Sequence, residues 1–312
     1  MSAAARPIGV GVVGTGSVSE RYLRNLTASP HTAVIACADQ DLKSARRRAA
    51  EFGVARACTT DQLLDDPEVE MVVNLTNPSA HAEVSLAALE AGKHVYSEKP
   101  LATNRADARR ILEAAARAGL TVGCAPHTFL GAGLQTCLKL LGDGHLGEPL
   151  AAGAFMFGAG PESWHPNPAF LYQPGGGPLL DMGPYYITTL VCMFGPVRRV
   201  ASMARILHAE LTPHRGPRQG ETFKVTTPTY VSAILEFVGG EQATLVTTFG
   251  IPRADQPHLQ VYCSHATLSV PDPNTYGGPV RVRLNQDEPG WSDVILLYGH
   301  TVASHGYSGL GA

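Results

Sequence analysis

Charge is scarce in this chain: Asp, Glu, Lys and Arg make up 16% of its 312 residues, with a formal net charge of -3. No Lys/Arg block dominates, which excludes a surface built for nucleic acid or for anionic lipid. The one basic run, Arg46-Arg47-Arg48, falls in a helical stretch and reads as a solvated face. The six cysteines (Cys37, Cys58, Cys124, Cys137, Cys192 and Cys263) include no CxxC pair and lie mostly in apolar segments. Buried reduced thiols, not a disulfide framework, are the plain reading. No set of His, Cys and acidic residues has metal-site spacing, so no metal is expected. No apolar run is long enough to span a bilayer, and the opening MSAAARP has no signal-peptide core. A soluble cytoplasmic protein without a membrane partner is the resulting expectation. Internal repeats and low-complexity tracts are missing too.

Apolar residues, at 44%, are sufficient for a substantial core and exclude a disordered chain. The first half alternates strand and helix. Ile8 to Val13, Thr32 to Ala38, Val69 to Leu75, His94 to Ser97 and Thr121 to Ala125 read as buried strands. Between them the pattern predicts helices from Val18 to Ala28, Leu42 to Phe52, Asn77-Pro78 to Ala91 and Asn104 to Ala118. A short helix starts at Thr59, with Gln62 in the capping-box position. Such βα repeats predict a doubly wound parallel sheet, which binds ligands beyond the carboxyl ends of its strands.

After Gly147 glycine and proline become frequent and strand-like runs follow one another. They are Ala151 to Phe157, Val197 to Leu207, Thr229 to Val238, Ala243 to Phe249, His258 to Cys263 and Val280 to Leu284. Gly239-Gly240 reads as a hairpin turn, and one helix, about Tyr185 to Phe194, interrupts the series. The expected architecture is an α/β Rossmann domain over residues 1–125 and an α+β domain over 126–312 with a large, open, mostly antiparallel sheet. The closing HGYSGLGA reads as unstructured.

Gly14-Thr15-Gly16-Ser17-Val18-Ser19 matches GxGxxG with serine in the third glycine place. The first glycine permits a tight turn, the second lets backbone approach a pyrophosphate, and the third place needs only a small residue. The helix N-terminus that follows suits phosphate, and Ser17 with Glu20 fits a capping box. Asp39 ends the second strand, where a carboxylate accepts ribose hydroxyls and repels a 2′-phosphate. NAD is therefore expected over NADP. The competing reading is that Asp39 caps the helix starting near Asp41.

Glu98-Lys99-Pro100 follows a buried strand, at the ligand-facing edge, and Pro100 disfavours helix at Lys99. At this point the sequence resembles the Gfo/Idh/MocA oxidoreductase family. The resemblance rests on GTGSVS, Asp39, NLTNPSAHAE, GKHVYSEKPLA and GGGPLLDMGPYY, in the expected order over about the first two-thirds of the chain. It implies a reaction centre of Lys99, Asp181 and Tyr185. Many members carry His at the last place; this chain, like some others, has Tyr. On one helix Asp181 and Tyr185, as i and i+4, would share a face. A phenol ionises near 10, and a nearby ammonium favours phenolate. Tyr185 is thus expected as acid/base, Lys99 as its activator, and Asp181 as a substrate ligand that holds Lys99. Asp181 as a helix cap, and Tyr186 or His165 as the proton carrier, are the competing readings.

The cofactor set implied is Gly14, Gly16, Ser17, Val18, Asp39, Thr76, Asn77, Pro78, His81, Glu98 and Lys99. His127, Trp164 and His165 join the reaction centre on the substrate side, although an ordinary loop histidine is as good a reading of His127 and His165. The family relation further implies a sugar-, cyclitol- or polyol-like substrate and a homodimer or homotetramer paired through the second sheet. It also implies a further helical segment after the last strands. This chain stops at Ala312, so its end is either short by nature or truncated. Two other functions remain: an NAD-dependent glycosidase that oxidises its sugar transiently, and a non-catalytic cofactor-sensing regulator on the same fold, which should lack the Lys99, Asp181 and Tyr185 set present here.

Overall fold

The computed structural model describes residues 6–285 and 290–297. These divide into two compact units, one ending at Ala125 and the other starting at Pro126. The HGYSGLGA stretch lies outside the described residues.

In the first unit β1 (Ile8–Val13), β2 (Thr32–Ala38), β3 (Arg56–Cys58), β4 (Met71–Asn74), β5 (His94–Ser97) and β6 (Val122–Cys124) form one sheet in the order β3-β2-β1-β4-β5-β6. Every pairing is parallel. The helices are α1 (Ser19–Ala28), α2 (Leu42–Glu51), α3 (Thr60–Leu64), α4 (His81–Glu90) and α5 (Arg105–Ala118). Local chemistry sets their ends. Thr59 and Gln62 form the expected capping box of α3. Asn104 caps α5 by accepting from Asp107 N–H, and Gly119 ends it in the left-handed conformation. The chain builds outward from β1 in one direction through β2 and β3, then in the other through β4, β5 and β6. The order therefore reverses between β1 and β4, the place where such sheets open a crevice.

Four details differ from the sequence reading. Strand β3, at the edge of the sheet, was not expected. The strand expected from Val69 is only Met71–Asn74. The helix expected from Pro78 opens as a 3₁₀ turn, Pro78–Ala80, before α4. Arg48 is not on a solvated face: it is 8% exposed, pairs with Glu51 at 2.7 Å and donates to the Gly16 carbonyl at 3.4 Å.

The second unit starts with α6 (Ala132–Gly142), which the sequence reading missed, and continues with β7 (Pro149–Phe157), α7 (Gly177–Asp181) and α8 (Gly183–Phe194). The remaining strands are β8 (Val197–Arg205), β9 (Glu210–Leu211), β10 (Phe223–Lys224), β11 (Tyr230–Phe237), β12 (Gln242–Thr248), β13 (Leu259–Cys263), β14 (Ala266–Val270), β15 (Val280–Leu284) and β16 (Ser292–Val294). Seven of these join β7 in an eight-stranded sheet in the order β16-β15-β14-β13-β7-β12-β11-β8. It is antiparallel except where β7 runs parallel to β12, and β11 and β12 form the hairpin expected at Gly239-Gly240. Leu134 and Cys137 of α6 and Leu190 and Phe194 of α8 pack with Ala154, Leu245, Leu259 and Leu268 of the sheet. The opposite face is bare at the β8–β11 edge, where Met203 and Ile234 are exposed. Five cysteines are buried or half-buried as expected, whereas Cys192 on α8 is exposed.

A Cβ at Gly9, in β1, would lie 1.8 Å from the Glu68 backbone oxygen. Backbone cannot yield there as a side chain tip can. Gly9→Ala is expected to cost about 1–3 kcal/mol of stability, read as a lower midpoint in urea unfolding; an unchanged midpoint contradicts this packing.

Candidate active site

The glycine loop starts where β1 ends. Gly14 N–H donates to the Ala38 carbonyl at 2.8 Å, and Gly14 has φ +97. A Cβ there would lie 2.6 Å from the Leu75 backbone, so both conformation and space require glycine. Gly16 is different: a Cβ on it would meet nothing within 4 Å. The loop backbone thus borders open space at the point where the fingerprint needs a phosphate to approach. The Ser17–Glu20 capping box does not form. Val18 occupies the N-cap of α1 without a side-chain bond, Glu20 pairs with Arg24 at 2.8 Å, and Ser19 Oγ donates back to the Gly16 carbonyl at 2.7 Å. Serine at position 19 therefore closes the loop on itself, and no side chain caps the helix end that faces the open space.

Asp39 is held rigidly. Its Oδ2 accepts from Thr15 N–H and Thr15 Oγ1, both at 2.7 Å, and its Oδ1 accepts from Asp41 N–H at 2.9 Å. Helix α2 is capped by Asp41, which accepts from Lys43 N–H at 3.0 Å, so the reading of Asp39 as that cap falls. Thr15 is fully buried, and its hydroxyl also meets Ser44 Oγ at 3.0 Å. The sequence pattern treated Thr15 as a free position of the fingerprint and missed this.

Gly14, Gly16, Asp39, Thr76 and Asn77 line a groove of about 550 Å³. Asp61 and Glu83 line it as well, and none of its lining residues is Lys or Arg. The residues fit NAD: a small-residue cradle for the pyrophosphate, a fixed carboxylate for the adenosine ribose, and an acidic wall hostile to a 2′-phosphate. Asn74 shapes the rim. Buried at the end of β4, it accepts from Thr76 N–H and Oγ1, at 3.3 and 2.6 Å, and donates to the His81 carbonyl at 3.0 Å. A polar residue ending an apolar strand was the available signal, and it went unused. Pro78 starts the adjoining 3₁₀ turn.

His81 and Glu98 are committed to the protein itself. His81 is 1% exposed, with Nδ1 at 2.6 Å from the Pro100 carbonyl and Nε2 at 2.9 Å from that of Thr76. It bridges the loops after β4 and β5. Glu98 is 6% exposed and accepts from Tyr22 hydroxyl at 2.8 Å and from Lys99 N–H at 2.9 Å. Burial, and secondarily the Glu98 charge, push the Cys124 thiol up to about 12, so it stays protonated at neutral pH. Lys99 is half-buried, and its bond to Pro100 is cis.

In the second unit Asp181 is the last residue of α7, and Tyr185 lies in the first turn of α8. The single helix expected through both is broken at Met182, which is also the N-cap of α8 in place of Asp181. Pro184 accounts for the break, because it has no N–H and its ring crowds the carbonyl four residues earlier. Tyr185 is 3% exposed and Tyr186 1%. Tyr186 hydroxyl meets His258 Nδ1 at 3.1 Å, and burial, then the Asp272 charge, push it well above the ordinary phenol range.

His165 stacks edge-on against Trp164 and Phe170, each with ring centroids 5.4 Å away. Burial lowers its pKa, opposed by the Asn167 backbone and by the Asp181 charge. Trp164 is largely exposed, at 66%. His127 is 7% exposed, beside the Tyr276 ring at 5.9 Å. Glu162 and Tyr172 carry no motif and went unnoticed. They share a hydrogen bond and line, with His208, Thr229 and Phe249, a cavity of about 210 Å³. Burial, then the bond to Glu162, push Tyr172 far up, with a further contribution from Asp181. Among the described residues no cluster of His, Cys and acids has the makings of a metal site, and no helix is long and apolar enough to cross a membrane.

A family model described as "Oxidoreductase family, NAD-binding Rossmann fold" matches residues 8–125, and that of the "GFO/IDH/MocA C-terminal domain" matches residues 134–269. The chain belongs to the Gfo/Idh/MocA oxidoreductase family. An uncharacterised oxidoreductase of Rhizobium meliloti is 29% identical over 84% of this chain and 74% of its own length. The dTDP-3,4-didehydro-2,6-dideoxy-α-D-glucose 3-reductase of Saccharopolyspora spinosa is 35% identical over 58% of this chain, which spans about half (54%) of that enzyme. Among solved structures a 3-ketoreductase from Actinomadura kijaniata, a Tyr-to-Phe mutant in complex with TDP-benzene and NADP, superposes with a TM-score of 0.74. It is 26% identical, covering 93% of this chain and 85% of its own.

Gly16→Ala is expected to leave folding stability within about 1 kcal/mol and to weaken NAD binding at least about tenfold, as read by fluorescence titration. Asp39→Ala is expected to lower the NAD-over-NADP preference in kcat/KM by about tenfold or more. An unaltered preference contradicts the ribose role.

Proposed function

We propose that this protein is an NAD-dependent dehydrogenase or reductase that moves hydride between nicotinamide and the secondary alcohol or ketone of a sugar, a cyclitol or a related hydroxy compound. The observation that carries this reading lies within the first unit. The glycine loop, the Thr76–Asn77 rim and the Glu98–Lys99–Pro100 turn follow the carboxyl ends of β1, β4 and β5, which are neighbours in the sheet. A dinucleotide lying in the groove along that edge runs towards Lys99. Residues 1–125 then form the cofactor half, and 126–312 the substrate and association half.

Bound NAD supplies the two-electron hydride acceptor. The chain's own groups handle the proton and the orientation. Tyr185 takes the hydroxyl proton as the carbinol hydrogen leaves, and returns it in the reverse direction. A nearby ammonium favours the phenolate it needs, the role that the family relation implies for Lys99, while Asp181 accepts a hydrogen bond from a substrate hydroxyl. The cavity beside Glu162 and Tyr172 suits a polyol ring, with aromatic faces for its C–H surface and a carboxylate for its hydroxyls. The 3-reductase relative makes a nucleotide-linked keto-sugar a specific member of the substrate class to try. The bare β8–β11 face, with Met203 and Ile234 exposed, supports a homodimer or homotetramer built on that sheet.

Absorbance of NADH against a panel of sugars, inositols, inososes and dTDP-linked keto-sugars tests the reading, with NADP run in parallel. Steady NADH change with one class is expected; glycoside cleavage without it overturns the dehydrogenase reading. Tyr185→Phe is expected to lower kcat by about 10²–10⁴ while the NAD dissociation constant changes less than about twofold. A fully active Phe variant removes Tyr185 from the chemistry.

A further inference from the structure

Tyr22 takes no part in the chemistry proposed above, yet it makes a buried polar contact at a consequential place. It projects from α1, the helix that follows the glycine loop, and is 7% exposed. Its hydroxyl donates to Glu98 Oε1 at 2.8 Å, and the contact is buried. The other carboxylate oxygen, Oε2, accepts from the backbone N–H of Lys99 at 2.9 Å. The Glu98 N–H in turn donates to the Asn74 carbonyl at 2.9 Å. A buried carboxylate is costly unless its oxygens have donors, and here one donor comes from the pyrophosphate-facing helix while the other is the amide of the lysine itself.

We infer that Tyr22 is a positioning residue which, through Glu98, fixes the backbone from which the Lys99 side chain reaches the reaction centre. The inference rests on the role proposed for Lys99. Without the phenolic hydroxyl, Glu98 Oε1 loses its donor inside the protein, and the carboxylate turns to find another. The Lys99 amide bond then fails, and the lysine leaves the turn at a different angle. Helix α1 and the glycine loop need no rearrangement, because Ser19 and Gly16 hold that loop independently at 2.7 Å. The effect therefore falls on the chemical step and spares cofactor affinity.

Tyr22→Phe keeps the ring and removes only the hydroxyl. In the full-length protein the expected result is a fall in kcat of about tenfold, since small displacements of a reacting group have effects of that order or larger. The NAD dissociation constant, measured by fluorescence titration, should stay within twofold. Tyr22→His, whose ring N–H also donates, should recover part of kcat. Glu98→Gln, which sets an amide NH₂ against the Lys99 N–H, should lose about as much as Tyr22→Phe, and the double variant no more than either single one. Full kcat in Tyr22→Phe overturns the inference. So does a loss that is equal in the Phe and His variants, or one that adds to that of Glu98→Gln. If instead the parent protein reduces no NAD with any compound of the panel while still binding it, the proposed function fails, and the two failures are thereby distinct.

Discussion

The backbone at the end of β1 lies so close to the backbone at the end of β4 that no side chain fits between them at Gly14. That contact is the constraint on which the site depends. It is made at the point where the strand order reverses, so the loops after β1 and β4 diverge from it and leave the groove between them. With a Cβ at position 14 the glycine loop would have to lift away, and α1 would start in another direction. The parallel sheet supplies the edge, and this one close approach turns the edge into a cradle.

The groove is polar, but its walls are held by buried polar groups that do not themselves face it. Thr15 orients Asp39, Asn74 orients Thr76, His81 ties Thr76 to Pro100, and Tyr22 ties α1 to Glu98. Each is a side chain whose loss leaves a buried partner unsatisfied, a penalty larger than the modest net gain of making the bond. The outcome is a set of three loops whose relative positions are fixed before any ligand arrives, which lowers the ordering cost of binding.

The part of this that was legible in the sequence follows from periodicity and spacing. Wholly apolar runs such as Ile8–Val13 read as strands covered on both sides, and the glycine fingerprint needs its strand and helix neighbours, so five strands of the first sheet and the glycine loop could be read directly, whereas the three-residue β3 was too short to show a pattern. The caps at Thr59 and Asn104 were readable for the same local reason. Helix α6 was missed because it lies between two patterns and carries no cap: its N-cap, Gly131, makes no side-chain bond. Buried partners of the site were unreadable for a different reason. Tyr22 and Glu98 are 76 positions apart, and nothing local in either stretch announces that they meet.

The break between α7 and α8 shows how one local rule can override another. Spacing of i and i+4 argued for one helix bearing Asp181 and Tyr185 on a common face. Yet Gly183-Pro184 sits between them, and proline is compatible with a helix only in its first turn. The chain therefore ends α7 at Asp181 and begins α8 at Gly183, with Pro184 in the opening turn where its missing N–H costs nothing. The consequence is geometric. Asp181 stands at the C-terminal end of one helix and Tyr185 in the first turn of another, so the relation between the two side chains is set by the break at Met182 and not by one turn of a continuous helix.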